Sequence, residues 1–224
     1  MSLSSFAGPA LTVFENIRPE HSTALDSIIK ARHSVRSFSP IPPSRETIEL
    51  IIQAGLLAPF AAAAVVGKAE FRKVFVIESS SAANMAAMNL LKNRIAKMAD
   101  EFEKKLGAVP FVINLKRIVQ QGLPGISDAP YFIVVGEEKG IPSVAPQSLS
   151  YCLQNMWLKA TSLGIGMRLV SVTMQMENDP DFCDLLNIPC GKYALDGCAL
   201  GYPSDHYQIL PVEYPTLSQS VKWL

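Results

Sequence analysis

The sequence predicts one domain that mixes amphipathic helices with a few buried strands. Ile48, Ile51, Ile52 and Leu56 recur at helical spacing, as do Leu149, Leu153, Met156, Trp157, Ala160 and Leu163. Each set traces a single apolar stripe, the mark of a helix packed on one side. Pro130-Tyr131-Phe132-Ile133-Val134-Val135-Gly136 is instead a nearly continuous apolar run between turn residues, the pattern of a strand covered on both faces. At 224 residues the chain suits one domain with embellishments better than two.

Taken in order, residues 1–20 carry Gly8, Pro9 and Pro19 and read as an extended arm. A helix is expected from Ser22 to Ala31, with Ile28 and Ile29 facing inward. Pro40, Pro42 and Pro43 then impose an extended turn, because proline disfavours helix in the residue before it. Ser44 is the N-cap of a helix to Leu57, with Glu46 in its favoured first turn. Ala58-Pro59-Phe60 breaks that helix, and an alanine- and valine-rich loop leads to a strand at Lys73–Ile77. Ser81 to Gly107 and the stretch on to Gln121 form a helical excursion, residues 81–121. After the buried strand, Ser148 to Leu163 is a helix with Gly164 at its C-terminus. A short strand follows near Met167 to Val172, then a helix opened by Asp179-Pro180 with Phe182, Leu185 and Leu186 facing inward. Ala194 to Gly201 is the last strand, and residues 207–224 read as an extended tail.

Composition narrows the function. Hydrophobic residues make up 49% of the chain, charged residues 18%, and the formal net charge is zero. This balance gives no electrostatic footprint for nucleic acid or an anionic membrane. The most apolar run, Ala54 to Val66, is too short to span a bilayer and contains Gly55 and Pro59. Met1 to Ala10 lacks a basic region followed by an apolar core, so no secretory signal is expected and a cytoplasmic location is. Cys152, Cys183, Cys190 and Cys198 form no C-x-x-C pair and have no histidine at ligand spacing, which points to free thiols and no metal site.

Chemistry concentrates in Arg32-His33-Ser34-Val35-Arg36, where two arginines, an imidazole and a hydroxyl fall within five residues. Arginine's planar fork suits phosphate oxygens, so the segment reads as an anion site. It reads equally as a basic helix end bonding the last carbonyls. Gly164-Ile165-Gly166 follows a helix, so it is not a dinucleotide-binding turn. No P-loop, H-E-x-x-H or G-x-S-x-G occurs, and no side-chain nucleophile or base is assembled, so an enzyme with this sequence relies on a cofactor.

Arg32-His33-Ser34-Val35-Arg36-Ser37-Phe38, followed by the Pro-containing turn, a helix and Ala54-Gly55-Leu56-Leu57-Ala58-Pro59, resembles the opening of the FMN-dependent nitroreductase family. The same resemblance runs through Asp128-Ala129-Pro130, Gln154-Asn155 with Leu163-Gly164-Ile165-Gly166, Leu185-Leu186-Asn187-Ile188-Pro189, and Ala199-Leu200-Gly201-Tyr202-Pro203. The five blocks fall in the family's order and cover most of residues 25–205.

The resemblance implies an α+β fold, a central mostly antiparallel sheet wrapped by helices, in an intertwined homodimer with two FMN sites at its interface. It implies that Arg32, Ser34 and Arg36 hold the FMN phosphate and ribityl chain, with His33 contributing from the same segment. Pro59 and Phe60 would border the flavin ring, and Leu169, Val170 and Ser171 would pass over it. No protein side chain is implied as the chemical catalyst. Hydride would come from NAD(P)H and go to a nitroaromatic, quinone or similar flat acceptor, which the apolar Phe60 to Val66 loop suits.

Two departures stand out. The family follows its Ala-Pro with Ser, a nearby Asn and Gln-Pro-Trp, whereas this chain continues Phe60-Ala61-Ala62-Ala63-Ala64-Val65-Val66-Gly67. The Lys or Arg that the family commonly places after Gly-Tyr-Pro is replaced by Ser204-Asp205-His206-Tyr207-Gln208. One lost charged contact to phosphate costs about 1.5–3 kcal/mol. The departures leave two other expectations open: a flavin- or ligand-binding homologue without turnover, or a flavin-fragmenting or dehalogenating enzyme of the same fold.

Overall fold

A computed structural model describes residues 17–60, 70–209 and 214–223. Most of the expected N-terminal arm, the loop from Ala61 to Val66 and part of the expected tail lie outside those residues. The described elements are α1 (Pro19–Ala31), α2 (Arg45–Leu56), β1 (Arg72–Glu78), α3 (Ala82–Leu106), α4 (Pro110–Gln120), β2 (Tyr131–Glu138), α5 (Ala145–Ser162), β3 (Gly166–Leu169), a 3-10 turn (Ser171–Met176), α6 (Pro180–Leu185), β4 (Tyr193–Gly201) and α7 (Leu217–Ser220).

The strands form one sheet in the order β1-β2-β4-β3, and every neighbouring pair is antiparallel. β2 and β4 therefore occupy its centre, which is why their sequences are mostly apolar. Side chains alternate between faces along a strand. Phe132 and Val134 of β2 join Leu195 and Ala199 of β4 in one core, with Leu91 of α3 and Phe182 of α6. Ile133 and Val135 join Ala194, Cys198 and Leu200 in a second core beneath Ile51 of α2 and Leu149, Leu153, Met156 and Trp157 of α5. Helices thus cover both faces of an antiparallel sheet, an α+β arrangement.

Local signals set the helix ends. The Ser44 hydroxyl accepts the Thr47 N–H, the Ser81 side chain accepts the Asn84 N–H, and the Asp179 carboxylate accepts the Phe182 N–H. Each satisfies an otherwise orphaned donor at its helix start.

Three expectations need correction. Ile28 is only half-buried, Ile29 is exposed, and α1 buries no residue at all. Among the described residues, its apolar stripe is left largely uncovered. The strand expected through Val172 ends at Leu169, because the Val170 N–H bonds the Gly197 carbonyl and the Thr173 N–H then turns back to the Val170 carbonyl. The tail is not wholly extended: Leu217–Ser220 makes one helical turn, its first residues closed by a capping box between Thr216 and Gln219.

Candidate functional site

The Arg32–Arg36 segment leaves α1 and runs beside β3. Ser34 forms a parallel bridge with Met167, and the Val35 N–H donates to the Met167 carbonyl at 3.1 Å. Val35 is buried, while Arg32, His33 and Ser34 are half-buried and Arg36 is exposed. Alternation along this extended stretch therefore sinks the one apolar residue and leaves the polar ones at the surface.

Gly164 and Gly166 explain the G-x-G that lacks a nucleotide-binding context. Gly164 has φ +70 just past α5, the left-handed conformation that ends a helix. A Cβ on Gly166 would lie 2.7 Å from Cγ2 of Val35, so the close approach of the segment to β3 requires glycine there.

Each residue of the segment is held individually. The Arg32 guanidinium lies over the Trp157 ring, 4.5 Å from its centroid. The Trp157 indole N–H donates to the His33 carbonyl at 3.3 Å. The His33 ring stacks on Tyr207, centroids 5.6 Å apart and planes 8° from parallel. Its Nδ1 sits 2.6 Å from the Ala31 carbonyl, a contact that puts the proton on Nδ1. The Tyr207 hydroxyl donates to the Ser34 carbonyl. The segment that follows Gly-Tyr-Pro thus folds back on the motif, and supplies a phenol there in place of a cation.

A third arginine stands beside Arg36. Arg168 is half-buried on β3 and donates to the Pro124 carbonyl at 2.7 Å. Burial pushes its guanidinium below the ordinary range; the neighbouring charge of Arg36 adds to the shift and Asp128 opposes it. Among the described residues Arg32, Arg36 and Arg168 form no ion pair with a carboxylate. Arg36 and Arg168 thus set two like charges against the single opposing influence of Asp128, a setting that favours an anionic group. Sequence reasoning missed Arg168, Tyr207 and this role of Trp157, because only the non-local pairing of β3 and the return of the tail bring them to the motif.

Leu169, Val170 and Ser171 continue from the same strand. Leu169 and Ser171 are exposed, and Val170 is buried. Backbone and Leu169 are therefore presented at the surface while Val170 anchors the turn.

Pro59 and Phe60 stand elsewhere. They follow α2 and are tied to the start of α5: the Ser148 hydroxyl lies 3.2 Å from the Pro59 carbonyl. Arg72 and Glu137, directly opposed in the β1–β2 register, fix this corner from below. Arg72 donates to Glu137 through Nε at 3.0 Å and Nη2 at 2.9 Å, and its Nη1 donates to the Gly55 carbonyl at 3.1 Å and the Ala58 carbonyl at 3.4 Å. Nη2 also donates to the Ser148 hydroxyl at 2.8 Å, and both charged side chains are only 2% exposed. Above this network a cavity of about 230 Å³ is lined by Pro59, Phe60, Val144, Gln147, Ser148 and Tyr151. Ser148 and Trp157 are nine residues apart on α5, so along the helix axis the Pro59 corner and Arg32 are separated by about 13 Å. One chain brings together the residues of the motif and of β3, and leaves Pro59 and Phe60 apart from them.

Among the described residues no helix is long and apolar enough to cross a membrane, and no group of three or more His, Cys, Asp or Glu could hold a metal ion.

Among curated proteins there is no match to this sequence. Among solved structures, the chain is similar to a nitroreductase with bound FMN from Bacteroides fragilis, at 22% identity over 89% of this chain and 98% of that one, TM-score 0.62. It is similar to a BluB-like flavoprotein from Clostridium difficile, at 21% identity over 89% and 98%, TM-score 0.66. It is also similar to the FMN and NADPH-dependent nitroreductase NfnB of a sphigopyxis strain, at 15% identity over 89% and 98%, TM-score 0.66. At such identities these likenesses establish the fold. The model of the nitroreductase family matches residues 29–202, from the end of α1 through Tyr202 after β4, and the chain belongs to that family.

Proposed function

We propose that the chain is an FMN-dependent oxidoreductase that takes reducing equivalents from NAD(P)H and delivers them to a flat aromatic acceptor such as a nitroaromatic or a quinone. The observation that carries this reading is the basic segment Arg32–Arg36 beside β3, with Arg168 next to Arg36 and none of these arginines ion-paired to a carboxylate among the described residues, in a chain of the nitroreductase family. The donor set suits a phosphomonoester: guanidinium N–H groups offer paired donors, and the Ser34 hydroxyl adds one of its own. Bound FMN would supply the chemistry, accepting hydride from the nicotinamide and passing it to the acceptor.

The chain's own residues bind and orient. Arg32, Ser34 and Arg36 would grip the phosphate and the polar chain, with His33 held between Tyr207 and the Ala31 carbonyl as part of the same wall. The exposed residues Leu169 and Ser171 would meet the ring edge. Pro59 and Phe60 would border the ring from a second subunit, which the distance along α5 favours. We therefore read the protein as a homodimer with shared sites, each protomer a single domain over residues 1–224. Four free cysteines suit the reducing cytoplasm.

The absorption spectrum of the purified protein and its steady-state oxidation of NADH and NADPH, with menadione or nitrofurazone as acceptor, test this. Flavin bands with acceptor-dependent turnover are expected. A colourless protein that stays colourless after incubation with FMN would overturn the proposal. Bound flavin without turnover would replace it with a binding function.

A further inference from the structure

Trp157 belongs to the apolar core under α5, yet its two polar contacts both go to the anion-binding segment. It is 7% exposed, so its ring is held within the core it shares with Leu153, Met156 and Ile165. The Arg32 guanidinium rests over the ring face at 4.5 Å, and the ring's one N–H donor is spent on the His33 carbonyl at 3.3 Å. A guanidinium that rests on an aromatic face keeps its N–H donors directed outward in its own plane, free to fork onto an oxyanion.

We propose that Trp157 is a positioning residue for the phosphate of the bound cofactor. It holds Arg32 in one orientation through the ring face and fixes the backbone of the next residue through the indole N–H. The inference rests on the reading of Arg32 as a phosphate ligand. A long, flexible side chain loses rotamer entropy when it is held in place. Trp157 removes that loss from the binding step, because Arg32 is already ordered before the anion arrives. Its effect should therefore be felt by a ligand that carries a phosphate, and not by the same ring system without one.

FMN and riboflavin differ by that phosphate, and they make the test. Both affinities are measured by fluorescence titration on the wild type, Trp157→Leu, Trp157→Phe, Arg32→Ala and the Arg32→Ala/Trp157→Leu double variant. Trp157→Leu should weaken FMN by about three- to thirtyfold, the span of a cation–π contact of this kind. It should leave riboflavin unchanged within about twofold. Trp157→Phe keeps the ring face and loses only the N–H, so it should fall between, and it serves if the leucine variant does not fold. In the Arg32→Ala background Trp157→Leu should cost less FMN affinity than in the wild type, since only the indole contact to the His33 carbonyl is left to lose. Equal losses for FMN and riboflavin, or full additivity with Arg32→Ala, would make Trp157 a purely structural residue and overturn the inference. A wild type that binds riboflavin as tightly as FMN would overturn the phosphate assignment itself, and the inference with it.

Discussion

The Arg32 side chain is half-buried, faces no carboxylate among the described residues, and is already oriented by Trp157. These are the properties of a prepared anion ligand. Arg32→Ala should weaken FMN binding by about 1.5–3 kcal/mol, and Arg32→Lys should recover part of it, since a point charge cannot reproduce a bidentate fork. Unchanged affinity in both variants, read by fluorescence titration, would return Arg32 to the role of a helix-end residue. Asp196 on β4 makes a second case at this scale. Burial pushes its carboxyl up from 3.8 to about 6, with the Gly197 N–H opposing the shift. The native carboxyl then holds a proton that the unfolded one releases, so stability falls as pH rises from about 4 to about 6. Asp196→Asn keeps an acceptor for the Gly197 N–H and cannot ionise. It should raise stability at pH 7.5 by on the order of 2 kcal/mol and leave it unchanged near pH 3.5, compared by urea unfolding at the two pH values. A gain that is equal at both would mean that ionisation is not its source. Of the residues proposed for the site, those in Arg32–Arg36 were legible because their chemistry is contiguous in the chain. Arg168 and Tyr207 were not, since a lone cation on a strand and a phenol in a tail carry no local signal.

Helices and strands were legible wherever burial within the chain imposes a period. α2, α5 and β2 fall where the apolar spacing puts them, because each is covered by other elements of the same chain. The 3-10 turn after β3 was not, because it depends on where the Gly197 carbonyl meets Val170. Nor could any periodicity show that Arg72 and Glu137 face each other across β1 and β2. That pair carries a prediction. Removing one member of a buried ion pair strands the other, at about 3–5 kcal/mol, whereas replacing both with apolar residues of similar volume costs far less. Glu137→Leu alone should therefore lower stability by about that amount, and Arg72→Met/Glu137→Leu should restore most of it. Urea unfolding of the single and double variants would show this. A double variant as unstable as the single would mean that Arg72 matters chiefly for the Gly55 and Ala58 carbonyls, and so for holding Pro59 and Phe60.

At the scale of the molecule, a chain can announce an apolar face without announcing what covers it. The spacing of α1 shows a stripe, and in the structure Leu25 and Ile29 of that stripe stand about half exposed. The tail adds Leu217 at 81% and Trp223 at 93% exposed. A free surface rarely carries so many large apolar side chains. In the homodimer proposed above, a second copy of the chain would bury them and bring its Pro59–Phe60 corner to the Arg32 segment, which lies about 13 Å along α5 from the same chain's corner. If sites are shared in this way, FMN binding and dimerisation are linked, each stabilising the other by mass action. Deleting residues 214–224 should then yield a weakened or aggregating dimer with reduced FMN content, and added FMN should shift the remaining equilibrium back toward dimer. Sedimentation velocity with and without FMN measures both effects. A tail that packs on its own subunit predicts lower thermal stability with the oligomeric state unchanged. A full-length protein that sediments as a monomer at micromolar concentration would remove the dimer, and with it any role for a partner's Pro59 and Phe60 in completing the site.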